Sequence, residues 1–280
     1  MKTGLVLEGG GKRGIYAAGV LDVLLEHNII VDGLIGTSAG AVNGCSYVSK
    51  QYERNLRYNI RFAKEKKYMS IYSLLTTGNV VGTEFAYDIL PNHLEPFDYD
   101  AFEQSPVDYY VTCSNLETGK AEYILCKSLR GKNMDYLRAS ASLPYVSQIV
   151  EIDNKKYLDG GICDSIPLRV FQNMGYNKNI VVLTRPKGYV KKPENNLLAS
   201  IYYGKYPNFV SALRNRYAVY NRTIKYIEEQ EKQGNIIVLR PSEAIKVGRM
   251  EKNPQAIQQM YKLGKKDANK IINEISLFLG

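Results

Sequence analysis

Two glycine-rich turns, each set between a short apolar run and a helically spaced one, dominate the first 50 residues. Gly4–Leu7 reads as a buried strand, Glu8-Gly9-Gly10-Gly11-Lys12-Arg13-Gly14 as a turn, and Ile15–His27 as a helix with Ile15, Ala18, Leu21 and Leu25 at helical spacing. The pattern then repeats. Asp32–Ile35 reads as a strand, Gly36–Ser38 as a turn and Ala39–Ser49 as a helix. A strand that gives way to a helix returns its next strand in the same direction. Right-handed crossovers then lay the two strands side by side, with helices on the sheet faces. A mostly parallel α/β sheet is the expected frame.

The rest of the chain fills in that frame. Residues 52–67 and Glu84–Leu90 read as helices, and Val107–Ser114 and Ala121–Cys126 as a hairpin around Asn-Leu-Glu-Thr-Gly. Asn133–Ser142 reads as a helix stopped before Pro144. Ile149–Ile152 and Lys156–Leu158 form a second hairpin, which delivers Asp159-Gly160-Gly161, and Ile180–Thr184 is a further strand. After Arg185 come a Lys/Pro/Asn linker (187–196), a helix over Phe209–Gln233, a strand at Ile236–Arg240 and a terminal helix from Pro254 to Leu279. No repeat or low-complexity tract interrupts the sequence.

Composition excludes several classes. With 280 residues, 45% hydrophobic and 23% charged, the chain is not intrinsically disordered. Cys45, Cys113, Cys126 and Cys163 lie far apart with no CxxC pair, which excludes a zinc ribbon and argues against a disulfide scaffold. The amino-terminal apolar run is too short for a signal peptide, and no run reaches the ~18 residues of a membrane span, so a soluble cytoplasmic protein is expected. The net charge of +9 is uneven: residues 1–170 carry −2 and residues 171–280 carry +11. The expected division is a first domain over 1–185 and a basic, mainly helical region over 186–280 packed on it. On the face of the 209–233 helix, Phe209, Val210, Leu213, Tyr217, Tyr220 and Ile224 are expected to pack on the core rather than on a membrane.

Gly36-Thr37-Ser38-Ala39-Gly40 carries the strongest chemical signal. A nucleophile on a sharp strand-to-helix turn needs small neighbours, and the helix that follows points its amide dipoles at a developing oxyanion. The competing role for Ser38 is a plain helix N-cap. The Gly9–Gly11 run exposes backbone N–H groups that suit an anion, either a phosphate or a tetrahedral oxyanion. Gly9-x-Gly11-x-x-Gly14 also satisfies the dinucleotide fingerprint, with Asp32 near the ribose-binding position. No Gly-Lys-Ser/Thr ends the run, so it is not a P-loop. Acyl transfer uses both glycine turns, whereas a dinucleotide site uses one.

A serine nucleophile needs a base, and only two histidines are available. His27 falls at the far end of the first helix. His93, in a loop-like Pro91–Pro96 stretch, is a candidate in a Ser-Asp-His order with Asp88. Asp159 before two glycines is the third candidate, since desolvation would raise its pKa into a useful range.

The nest, the elbow about 24 residues later, Asp159-Gly160-Gly161 and the preceding Ala139-Ser140-Ala141-Ser142-Leu143-Pro144 together resemble the patatin-like phospholipase family, bacterial members included, over about residues 3–185. The resemblance implies a three-layer α/β/α fold with a mostly parallel central sheet. It implies a Ser–Asp dyad without histidine: Ser38 as nucleophile, Asp159 as base, and the Gly9, Gly10 and Gly11 amides as oxyanion hole. It further implies a lipid acyl-ester substrate and neither metal nor other cofactor. The +11 segment suits peripheral contact with an anionic membrane, and no nucleic-acid partner is expected. Two alternatives stay open at this point: a nucleotide-binding protein using the Gly9–Gly14 loop, and a non-catalytic membrane-surface module.

Overall fold

The computed structural model describes residues 1–195, 197–244 and 246–280; of the expected linker, Asn196 falls outside them. Eight strands make one mixed sheet: β1 (Lys2–Leu7), β2 (Gly33–Thr37), β3 (Asp108–Asn115), β4 (Ala121–Leu125), β5 (Val150–Ile152), β6 (Lys155–Asp159), β7 (Tyr176–Val182) and β8 (Ile236–Leu239). The order is β5-β6-β3-β2-β1-β7-β8, with β4 also paired to β3. From β3 to β8 the neighbours run parallel; β4 and β6 pair antiparallel with β3, and β5 pairs antiparallel with β6.

The helices are α1 (Ile15–Glu26), α2 (Ala39–Val48), α3 (Arg54–Arg61), α4 (Ile71–Thr77), α5 (Tyr99–Gln104), α6 (Lys132–Ser140), α7 (Leu168–Asn173), α8 (Ala199–Tyr203), α9 (Pro207–Lys232), α10 (Pro254–Lys270) and α11 (Ile272–Leu279). Alternation along the strands sorts them into two layers. Leu5 and Leu7 face a core shared with Val20, Leu24 and Tyr261 of α1 and α10. Val6 and Val181 face Leu168, Phe171, Tyr220 and Ile227 of α7 and α9. Helices thus cover both faces, which makes the three layers that the sequence led us to expect. On α9, Phe209, Val210, Leu213 and Tyr220 are buried.

α10 lies against α1 at very close range. A Cβ on Gly19 would sit 2.2 Å from Tyr261 O, and one on Gly264 would sit 2.1 Å from Tyr16 O. The crossing is locked by two reciprocal bonds: Tyr16 donates to Asp267 (3.2 Å) and Tyr261 donates to Asp22 (2.7 Å). The chain beyond residue 185 therefore supplies both a strand and a core helix.

Some local readings differ from the sequence. The polar 52–67 segment is helical only over α3, and the terminal helix breaks at Ile271 into α10 and α11. The helix at Glu84–Leu90 extends through Phe85–Leu94 with widened π-type turns that accommodate Pro91, so His93 ends a helix rather than lying in a loop. Helices α4, α5, α7 and α8, of five to seven residues, carry too few turns to show a period.

Candidate active site

Ser38 leaves β2 and enters α2 with φ +53 and ψ −123. A residue with a Cβ held there stores about 1–3 kcal/mol of strain. Its neighbours allow nothing larger than glycine. A Cβ on Gly36 would lie 2.5 Å from Ala41 N, and one on Gly40 would lie 2.5 Å from Leu7 O. The G-x-S-x-G spacing is therefore a steric requirement of the turn. The Ser38 amide donates to Ser140 Oγ (2.8 Å), and Ser140 in turn donates to Thr112 O (2.7 Å). Ser140, in the last turn of α6, thus pins the elbow to β3. Sequence reasoning placed it in a family-like segment without a role.

Asp159 reaches the same point from the opposite direction. The β5–β6 hairpin turns on Asp153 and Asn154, both at positive φ (50° and 63°), as a two-residue primed turn requires. β2 ends with Thr37 opposite Thr112, and β6 ends with Asp159 opposite Cys113. The two strands therefore meet end to end along one edge of β3. Ser38 Oγ donates to Asp159 Oδ2 at 2.6 Å, and Gly161 N–H donates to Oδ1 at 2.8 Å. The backbone is held as well: the Asp159 amide donates to Ser142 O (2.8 Å) and Ser114 Oγ donates to Asp159 O (2.8 Å). Asp159 is 2% exposed. Burial pushes its carboxyl above the ordinary aspartate range, and the Ser38 bond and the Arg216 charge offset part of that rise.

The glycine loop leaves β1 beside the elbow, with Leu7 opposite Gly36. Its amides are not equivalent. Gly9 N–H donates to Ser165 O (3.3 Å) and Lys12 N–H to Arg249 O (3.0 Å). The Gly10 and Gly11 amides have no protein acceptor among the described residues. Gly11 sits at φ +57, where an added Cβ would meet Arg249 O at 2.7 Å.

A cavity of about 170 Å³ joins Ser38, Asp159 and the loop. Tyr68, Val80, Leu90, Met134 and Leu137 are among its apolar lining residues, and Arg13, Arg185, Lys191, Arg216 and Arg249 among its basic ones. Lys12 also faces it, donating to Asn59 Oδ1 (2.5 Å) and lying 4.4 Å over the Tyr68 ring; burial lowers its pKa to about 7. Arg216 is fastened to the site by donating Nε to Gly161 O at 2.6 Å. No sequence signal could have found Arg216, which lies 57 residues beyond Asp159 on α9.

The other candidates lie elsewhere. His27 and His93 are exposed and do not line the cavity, and Asp88 accepts instead from Asn92 Nδ2 (2.7 Å). Asp32 precedes β2, at the opposite end of the strands from the glycine loop, where it takes bonds from the Thr3 amide (2.7 Å) and hydroxyl (2.8 Å). A ribose on the loop would be out of its reach. Cys45, Cys113, Cys126 and Cys163 are free thiols. Among the described residues no cluster of His, Cys, Asp and Glu could hold a metal, and no helix is long and apolar enough to cross a membrane.

Two family models match the chain: patatin-like phospholipase over residues 5–171 and a domain of unknown function, DUF6363, over residues 206–280. The uncharacterized protein YjjU of Escherichia coli is 26% identical over 199 residues, which is 69% of this chain and 55% of that protein. Lysophospholipase nte1 of Aspergillus oryzae is 30% identical over 178 residues, which is 62% of this chain and 11% of that protein. The chain thus spans little more than half of one relative and a small part of the other. Among solved structures, VipD from Legionella pneumophila superposes with a TM-score of 0.47 at 13% identity, covering 98% of this chain and 67% of that one.

Proposed function

The chain belongs to the patatin-like phospholipase family, and from that membership and the site's geometry we propose that it is a serine lipid acyl hydrolase in which Ser38 is the nucleophile and Asp159 the base. One observation carries the reading: the 2.6 Å bond from Ser38 Oγ to Asp159 Oδ2, at a strained elbow inside a cavity lined in part by apolar side chains. The name of the Aspergillus relative, a lysophospholipase, points the same way.

In this mechanism Asp159 takes the Ser38 proton as Oγ attacks the ester carbonyl carbon. The carbonyl electron pair moves onto its oxygen, and that oxyanion is received by the Gly10 and Gly11 amides. Gly9, whose own amide is engaged, contributes room: a Cβ there would lie 3.2 Å from the Ser38 Cβ. Collapse of the tetrahedral intermediate expels the alcohol, protonated by Asp159, and leaves acyl-Ser38. Asp159 then takes a proton from water, whose oxygen attacks the acyl carbon. The second collapse frees the fatty acid and returns the proton to Ser38. No histidine is needed, because desolvation gives the carboxylate the basicity it lacks in water.

Peripheral contact with an anionic membrane belongs to the same proposal. Ile71 and Leu75 on α4 and Leu197 and Ile201 at α8 are 70%, 81%, 77% and 76% exposed. The two helices flank the 143–148 loop: Val80 donates to Val146 O (2.7 Å), and Tyr145 packs edge-on against Tyr202 (5.5 Å). Lys66, Lys67 and Lys205 stand exposed beside them.

Labelling with a fluorophosphonate tests the central claim. Wild-type protein is expected to take one label, on Ser38, and Ser38→Ala to lose labelling and at least ~10³-fold in p-nitrophenyl ester turnover. Undiminished turnover by Ser38→Ala refutes it.

A further inference from the structure

Beside Lys12 and Arg54, five further cations, Arg13, Arg185, Lys191, Arg216 and Arg249, line the cavity that holds Ser38 and Asp159. Matching anions are few: Asp159, whose charge Arg216 and Arg249 face, Glu194 and Glu8. Glu194 is shared, with Oε1 3.7 Å from Arg216 Nη1 and 3.4 Å from Arg249 Nη2. Glu8 is turned inward, where it accepts from the Thr184 amide and the Tyr220 hydroxyl, and burial pushes its carboxyl toward the neutral form. Arg185 and Lys191 rest on the rings of Tyr189 (4.5 Å) and Tyr220 (4.7 Å). Arg13 Nε is buried with no hydrogen-bond partner among the described residues.

Charges so poorly matched call for an anion. Arg13 and Lys191 are 9% and 8% exposed, and a buried cation is tolerated when something negative joins it. Burial and the neighbouring arginines lower Arg13 to about 10 and Lys191 to about 8. Four of the five groups are guanidinium forks, which grip phosphate oxygens in pairs. Apolar side chains line the same cavity, so a ligand that satisfies both kinds of lining is an amphiphile with an anion at one end and a chain at the other.

We infer that the basic end of the cavity is a phosphate subsite, and that the substrate is an acyl ester carrying an unsubstituted phosphate group. The inference rests on the reading of Ser38 and Asp159 as the hydrolytic pair. A phosphocholine head brings a quaternary ammonium among the same cations, with Glu194 already shared, so a phosphomonoester is preferred. Arg185, Lys191, Arg216 and Arg249 all lie beyond residue 171, where the phospholipase family model ends. Head-group choice thereby resides in the basic carboxyl-terminal part of the chain.

The test uses the full chain and three substrates with one acyl group: 1-acylglycerol 3-phosphate, 1-acylglycerophosphocholine and 1-acylglycerol. The phosphomonoester is expected to show at least a tenfold higher kcat/KM than either other ester. Arg249→Gln and Lys191→Met, made separately, are each expected to lower the phosphomonoester-to-neutral-ester ratio at least tenfold. Equal kcat/KM on all three esters, or a ratio that neither variant moves, overturns the subsite. A second arm titrates Ser38→Ala with an alkyl-ether glycerol phosphate, an alkylglycerol and inorganic phosphate in a calorimeter. Tightest binding of the ether phosphate supports the subsite even if the wild type hydrolyses no ester, in which case the hydrolase reading alone falls. Inorganic phosphate binding as tightly as the ether phosphate assigns the cations to a free anion and overturns the substrate class.

Discussion

A carboxylate stripped of water and set 2.6 Å from a hydroxyl is a stronger base than its residue type suggests, and it is also a burden on the fold. Burial raises Asp159, so its ionised form, the proposed acceptor of the Ser38 proton, is lost at a higher pH than for an exposed aspartate. The acidic limb of the kcat/KM profile is accordingly expected above the ordinary aspartate value. Arg216 pulls in the other direction, so Arg216→Gln is expected to move that limb to higher pH in stopped-time ester assays. The same raised pKa makes the folded state bind the proton more tightly than the unfolded chain. Above the unfolded pKa, Asp159 therefore costs stability, and the cost is relieved as pH falls. Asp159→Asn is expected to lower turnover at least ~10²-fold while raising the melting midpoint at pH 7 by about 2–4 °C, of the order of 1 kcal/mol. Ser38 was legible in the sequence because the elbow's glycines are forced by sterics. Asp159 was legible only in company, since an isolated Asp-Gly-Gly is a turn. Ser140 and Arg216 act through contacts that tertiary folding alone creates.

Elements that span several periods were legible, and short ones were not. β1, β2, α1 and α2 lie within a residue or two of their predicted bounds because each buries a regular face. α10 shows what such a face can conceal. Its period announces a helix, but the choice of α1 as partner rests on Gly19 and Gly264, whose close approach has no sequence period. The lock at this crossing titrates. Asp22 is 4% exposed, and burial raises it to about 6 despite the bond from Tyr261. A raised carboxyl stabilises the fold below the unfolded pKa near ~4, and that contribution is lost as pH rises toward 6. Denaturation from pH 4 to 7 is expected to show about 2–3 kcal/mol of such decline, which Asp22→Asn removes. A slope that survives the substitution places the titration elsewhere.

At the scale of the whole molecule, charge asymmetry was readable from composition, whereas its placement was not. The +11 of residues 171–280 spreads over a surface, yet four of its cations turn into the cavity. The exposed apolar residues of α4 and α8 were invisible too, because a short helix does not reveal which side meets solvent. Each buried leucine or isoleucine is worth about 1.5–3 kcal/mol, or about ten- to a hundredfold in partition. Leu75→Asp combined with Ile201→Asp is expected to cut sedimentation with anionic vesicles at least ~tenfold, leaving turnover of a water-soluble ester within about twofold. Vesicle binding unchanged by the pair removes these helices from the membrane face.

The end-to-end meeting of β2 and β6 has a further consequence. Ser38 and Asp159 come from segments about 120 residues apart, and no flexible loop sets the gap between them. It is measured out on β3, by one step from Thr112 to Cys113. A single-residue slip along that strand would carry the carboxylate about 3.3 Å away and turn it to the opposite face. The central strand thus works as a ruler, and the chemistry is as durable as the most deeply hydrogen-bonded part of the sheet.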